Sequence, residues 1–134
     1  MQCYQFRLDG EVPSQKNNVK FNSVQKCTYK ASPFVRWNNY AQKVIKLSNR
    51  PFKPLESASI HFEFHHGDNR RRDADNAQTS LQDLLVRCGV IVDDSWQRIG
   101  SPTAEHHASP KNPYTIIYVQ EKPLEDWKRK FLRL

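Results

Sequence analysis

The run from Ile60 to Gly89 constrains the fold more than any other stretch, because its apolar spacing changes period once along the way. Ile60, Phe62 and Phe64 alternate with His61, Glu63 and His65, the mark of a strand with one buried face. Gly67-Asp68-Asn69 ends that strand. From Ala77 onward the spacing is helical, with Ala77, Leu81, Leu84, Leu85 and Cys88 on one stripe. Asp75 or Asn76 suits the N-cap of this helix, and Gly89 suits its C-terminal stop. Val90-Ile91-Val92 is then a short apolar run that delivers Asp93 and Asp94.

The flanking segments extend the pattern. Tyr4, Phe6 and Leu8 alternate with polar residues and predict a strand ending at Asp9-Gly10. A polar loop follows from Val12 to Asn18, and a short hairpin is one reading of Lys20 to Lys30. Pro33 opens a helix with Trp37, Tyr40, Ala41, Val44 and Leu47 at helical spacing, stopped by Ser48-Asn49-Arg50-Pro51. Gln97 to His107 and Tyr114 to Gln120 read as strands, and a short amphipathic helix carries Leu124, Trp127, Phe131 and Leu132 on its apolar side. This order predicts an α+β fold: a single domain over residues 1–134, with a mixed β-sheet and flanking helices.

Composition narrows the function classes. Hydrophobic content of 37% and charged content of 26% suit a soluble globular domain, and no apolar run approaches a membrane span. The N-terminus reaches Arg7 without the apolar core of a signal peptide, so no membrane partner and a cytoplasmic location are expected. Cys3, Cys27 and Cys88 form neither a disulfide framework nor a zinc knuckle and read as reduced, at least partly buried thiols. The adjacent pairs His65-His66 and His106-His107 point to opposite faces of any strand, so neither pair is a joint ligand set by itself. The net charge of +7 favours a polyanionic partner, nucleic acid ahead of membrane.

The stretch that carries chemistry is Arg70-Arg71-Arg72-Asp73-Ala74-Asp75-Asn76, followed by the helix and then Asp93-Asp94. Asp73 and Asp75 flank a strand-to-helix transition, and residues two apart in extended chain point the same way. If Val90 to Val92 packs back alongside the helix, Asp94 comes near both. Three carboxylates so gathered need a cation, and hard oxygen ligands favour Mg²⁺ or Mn²⁺. Such an ion polarises a phosphodiester and activates water, while the three arginines grip phosphate. The plainer reading also stands: acids at a helix start satisfy free amides and suit the helix dipole, and Asp93-Asp94 alone can be an ordinary turn.

Taken together, these residues resemble the RusA family of Holliday junction resolvases (crossover junction endodeoxyribonucleases). That family's motif is an arginine-rich lead, Asp-x-Asp-Asn, an amphipathic helix, a glycine and a closing Asp-Asp. Here it reads Arg71-Arg72, Asp73-Ala74-Asp75-Asn76, Leu81 to Cys88, Gly89 and Asp93-Asp94, and Val12-Pro13-Ser14-Gln15-Lys16-Asn17 is similar to the family's early Pro-Ser-Lys-Asn loop. The resemblance implies a homodimer that binds four-way branched DNA and makes paired nicks with Mg²⁺ or Mn²⁺, in DNA recombination and repair. By matched position, Asp73, Asp75 and Asp94 would be the catalytic and metal-holding acids, with Asp93 beside them. Arg70, Arg71, Arg72 and Lys16 are the expected DNA contacts.

One departure divides the expectations. Family members commonly carry a lysine one turn after the second Asp of the motif, where this chain has Thr79. Arg72 and Arg87 are the candidate substitutes. The readings left open are an active nuclease, a junction-binding protein of the same fold with weak or no cleavage, and an unrelated basic module whose acids only cap a helix.

Overall fold

The computed structural model describes residues 2–13, 19–22, 27–30, 32–68, 76–108 and 111–128, with the backbone alone at 19–22, 27–30, 32 and 76. The elements are β1 (Cys3–Asp9), β2 (Val19–Asn22), β3 (Cys27–Lys30), α1 (Ser32–Leu47), β4 (Ala58–His66), α2 (Asn76–Arg87), α3 (Trp96–Ile99), β5 (Thr103–Ala108) and β6 (Tyr114–Glu121). Four strands form one mixed sheet in the order β1-β6-β4-β5. β6 runs antiparallel to both β1 and β4, and β4 runs parallel to β5. Parallel neighbours need a long crossover, which here contains α2 and α3. β2 and β3 pair antiparallel as a separate two-stranded sheet, the hairpin reading of Lys20 to Lys30. The α+β expectation holds.

Alternation sorts each strand of the sheet into two faces. Ala58, Ile60, Phe62 and Phe64 of β4, Phe6 and Leu8 of β1, and Thr115, Ile117 and Val119 of β6 are buried. Against them lie Phe34, Trp37, Ala41 and Ile45 of α1 and Leu81, Leu84 and Leu85 of α2, with Cys88 just past its end. Each of the large aliphatic or aromatic side chains so removed from water contributes about 1.5–3 kcal/mol. The α2 stripe is the expected one. The α1 stripe is turned by one position: Tyr40 is 38% and Leu47 89% exposed, while Phe34 and Ile45 are inside. Tyr40 instead keeps its ring at the surface and its hydroxyl accepts the Asp9 N–H at 3.0 Å.

Three further expectations are corrected. Residues 97–99 belong to α3 rather than to a strand. Gly100 ends that turn with φ +60° and donates its N–H to the Trp96 carbonyl, and Pro102, which lacks an N–H, precedes the strand at Thr103. Burial of Arg98 fixes the turn: its Nη1 donates to the Glu56 carbonyl, and its own carbonyl accepts from Ser57 Oγ. Cys3 is exposed, since it lies on the outer face of edge strand β1, whereas Cys88 is buried as expected and burial raises its thiol pKa. The side chain of Cys27 lies outside the described residues. Trp127 is half-exposed beside Trp96, with ring centroids 6.4 Å apart, while Leu124 is buried. Phe131 and Leu132 lie outside the described residues.

Candidate metal and nucleic-acid site

α2 begins at Asn76, the last residue of the Asp-x-Asp-Asn run, so that run leads directly into the helix. At the other end, Gly89 N–H donates to the Val86 carbonyl and Val90 N–H to the Leu85 carbonyl. This paired pattern is a Schellman stop, and it uses the positive φ of +72° at Gly89. Val90 and Ile91 are buried, and Ile91 forms a parallel bridge with Leu55. Leu55 N–H donates to the Val90 carbonyl, and Val92 N–H donates to the Leu55 carbonyl. The return run is therefore fixed to the segment that leads into β4.

Asp93 and Asp94 follow directly. Asp93 is exposed and Asp94 half-buried, and Asp94 N–H donates to Asp93 Oδ1 at 2.8 Å. Ser95 and α3 hold the chain on the far side, with Arg98 and Ile99 N–H groups both donating to the Ser95 carbonyl. Asp94 thus sits between two anchored segments. Asp73, Asp75, Arg70, Arg71, Arg72 and Lys16 lie outside the described residues, as does any meeting of Asp94 with Asp73 and Asp75. Thr79 is exposed on the first turns of α2. Arg87 is the last residue of α2, about 12 Å along the axis from Thr79, which removes it as a stand-in for a lysine at that position.

A second group of chemistry-bearing side chains occupies the outer face of the sheet. The parallel register sets His61 against Thr103, Glu63 against Glu105 and His65 against His107. A carboxylate only accepts, so His61 Nε2–H donates to Glu105 Oε1 at 2.7 Å and His107 Nε2–H to Glu105 Oε2 at 2.8 Å. His61 Nδ1 lies 2.6 Å from the Thr103 hydroxyl oxygen, within hydrogen-bond distance. These bonds, His107 first and His61 second, hold the Glu105 carboxyl below its ordinary pKa. His65 Nε2 is buried and 3.2 Å from Glu63 Oε2 without hydrogen-bond alignment. Its ring lies against both Tyr114 and His107, at 4.1 and 4.9 Å between centroids.

The inner-facing histidines form a different chain. Glu11 Oε1 accepts the Gly67 N–H, and His66 Nδ1–H donates to Glu11 Oε2 at 3.0 Å. His66 Nε2 then accepts from His106 Nδ1–H at 2.8 Å. Burial, then the neighbouring His66 and His107, push the His106 pKa down.

No family model matches the chain, and no curated protein matches it in sequence. The geometry therefore carries the functional argument.

The adjacent histidines do point to opposite faces, as alternation requires. Reading each pair by itself missed that both gain partners across the β4–β5 ladder. The signal was present as two Glu-x-His runs, Glu63-Phe64-His65 and Glu105-His106-His107. Same-face spacing within each run was legible, but the parallel register that superimposes them was not.

Proposed function

We propose that the protein is a metal-dependent endodeoxyribonuclease that acts on four-way branched DNA as a homodimer. Asp73, Asp75 and Asp94 are its essential acids in this reading, with Asp93 beside them. One observation carries it: the acidic run ends on the first residue of α2, and the chain leaves that helix through a fixed return to a second acidic pair. The lengths allow closure. Twelve helical residues rise about 18 Å, and the five steps from Gly89 to Asp94 extend to about 17 Å. The half-buried position of Asp94 beside Asp93 supports a shared site, and carboxylate oxygens are the donors that Mg²⁺ and Mn²⁺ favour.

Bound there, the ion would polarise the scissile phosphodiester and lower the pKa of water. The chain's own residues would do the rest. Arg70, Arg71 and Arg72 bind phosphate next to the acids, and the anchored Ile91 and α3 keep Asp94 in place. A two-fold dimer presents two such sites to equivalent strands of a junction. The test is nicking of a synthetic four-way junction beside linear duplex, over a range of divalent metals. Nicking that is lost in Asp75→Asn and in Asp94→Asn supports the reading, and undiminished nicking in both overturns it.

Thr79 favours a second reading, in which the protein binds junctions and cleaves them poorly. Exposed on α2, it offers a hydroxyl where a lysine would place a full charge near the scissile phosphate. Tight, salt-sensitive binding without nicks, and nicking gained in Thr79→Lys, would select this reading.

A further inference from the structure

We propose a second metal site, independent of the aspartate motif: a first-row divalent transition ion held by Glu63, Glu105 and His107 on the outer face of the sheet. The proposal stands apart from the nuclease reading, since a chain that nicks no DNA can still hold an ion here.

Geometry comes first. One ligand atom from each of the three residues lies within 4.8 Å of the others. His107 Nε2 and Glu105 Oε2 are already 2.8 Å apart, and opening that gap to about 3.4 Å makes it one edge of a tetrahedral shell with bonds near 2.1 Å. Glu63 closes on them by side-chain torsion, because it stands directly across the ladder from Glu105.

Electrostatics point the same way. Like charges directly opposite on neighbouring strands repel. Among the described residues, the ion-pair partners of Glu63 and Glu105 are the histidines His61, His65 and His107. Two facing carboxylates therefore concentrate negative charge on this face of the sheet. A divalent cation cancels it. The buried, unaligned Nε2 of His65 faces the same carboxylate and offers a further donor or outer partner.

The donor set chooses the ion. Imidazole nitrogen beside carboxylate oxygen suits Zn²⁺, Co²⁺, Ni²⁺ or Mn²⁺ better than Ca²⁺. On binding, the His107 Nε2–H bond to Glu105 is replaced by coordination of both atoms. His107 Nε2 gives up its proton to solvent, and Nδ1 carries the ring proton of the bound form, taken from solvent where the free ring lacks it. His61 keeps its bond to Glu105 Oε1 and orients that ligand, in the manner of outer-shell partners.

The experiment is a titration of the full, tag-free chain with Zn²⁺ against a chromophoric chelator, repeated with Co²⁺ to read visible absorption. In an Asp94→Asn background, which disables the aspartate site, one equivalent is expected per chain, and it is retained when Cys3→Ser is added. Glu105→Gln and His107→Ala should weaken it by about tenfold or more. Histidine NMR signals of the unaltered chain provide a second readout: Co²⁺ should shift His107 and His61 first. No stoichiometric ion, unchanged affinity in both variants, or shifts confined to residues around Asp93 would each overturn the proposal.

Discussion

His65 and His107 stand directly opposite each other on parallel strands β4 and β5, with ring centroids 4.9 Å apart and planes 20° from parallel. The other side of His65 rests on Tyr114 at 4.1 Å, so its imidazole is held between two rings across three strands. A side chain clamped this way loses little further freedom when it meets a ligand. The same register places Glu63 against Glu105, so one strand pairing sets the whole outer-face cluster.

Acid should weaken the fold in two steps. The His106 pKa is lowered in the native state by burial, then by His66 and His107, so the unfolded chain binds more protons below its ordinary value of 6.5. Stability is lost as pH falls from that value through the lowered one. Glu105, lowered by its histidine bonds, loses its contribution at more acid pH, below 4.5. Tm measured from pH 8 to 4 should fall first in the histidine range, and His106→Gln should flatten that first step.

Phe62→Ala tests the core. Its ring is fully buried at the centre of the sheet, between the pairing partners Ile117 and Ala104. Removal should cost about 3–5 kcal/mol, read as a lower denaturant midpoint with little change in slope.

Gly89→Ala separates strain from crowding. An added Cβ would meet Arg50 Nη1 at 3.6 Å and Pro54 at 4.0 Å, which is ordinary contact. The left-handed φ of +72° is what penalises it, by about 1–2 kcal/mol. Because Gly89 reverses the chain toward Asp94, junction nicking should fall more than the stability loss alone explains. Equal nicking per folded molecule would contradict that link.

Replacing Arg70, Arg71 and Arg72 together by alanine should change the salt dependence of junction binding. If each neutralises one phosphate, the log–log slope of affinity against salt should become shallower by about 2.7. An unchanged slope, read by fluorescence anisotropy at several salt concentrations, removes them from the interface.

Much of the fold was legible because single elements carry their own period. The alternation of Ile60, Phe62 and Phe64 and the stripe from Leu81 to Cys88 each specify a face without knowledge of the partner. Residues 97–99 misled because their structure depends on distant groups, the Glu56 carbonyl and Ser57 hydroxyl that receive and bind Arg98. Tyr40 and Leu47 lie on the edge of the α1 stripe, where Ile45 and Phe34 compete for the same core. The Asp93-Asp94 pair was visible as sequence and its anchoring by Leu55 was not. The Glu-x-His cluster needed a strand register, which is a long-range property. Asp73 and Asp75 belong to the stretch outside the described residues.

The pairing of β1 with β6 sets a condition on synthesis. Cys3 faces Gln120 and Asp9 faces Tyr114, and β6 also fills the gap between β1 and β4. During translation at about 5–20 residues per second, Phe6 and Leu8 must therefore wait several seconds for their neighbour to emerge. Over that interval the nascent chain exposes an unpaired apolar strand, so a ribosome stalled before residue 114 would display a target for holding chaperones.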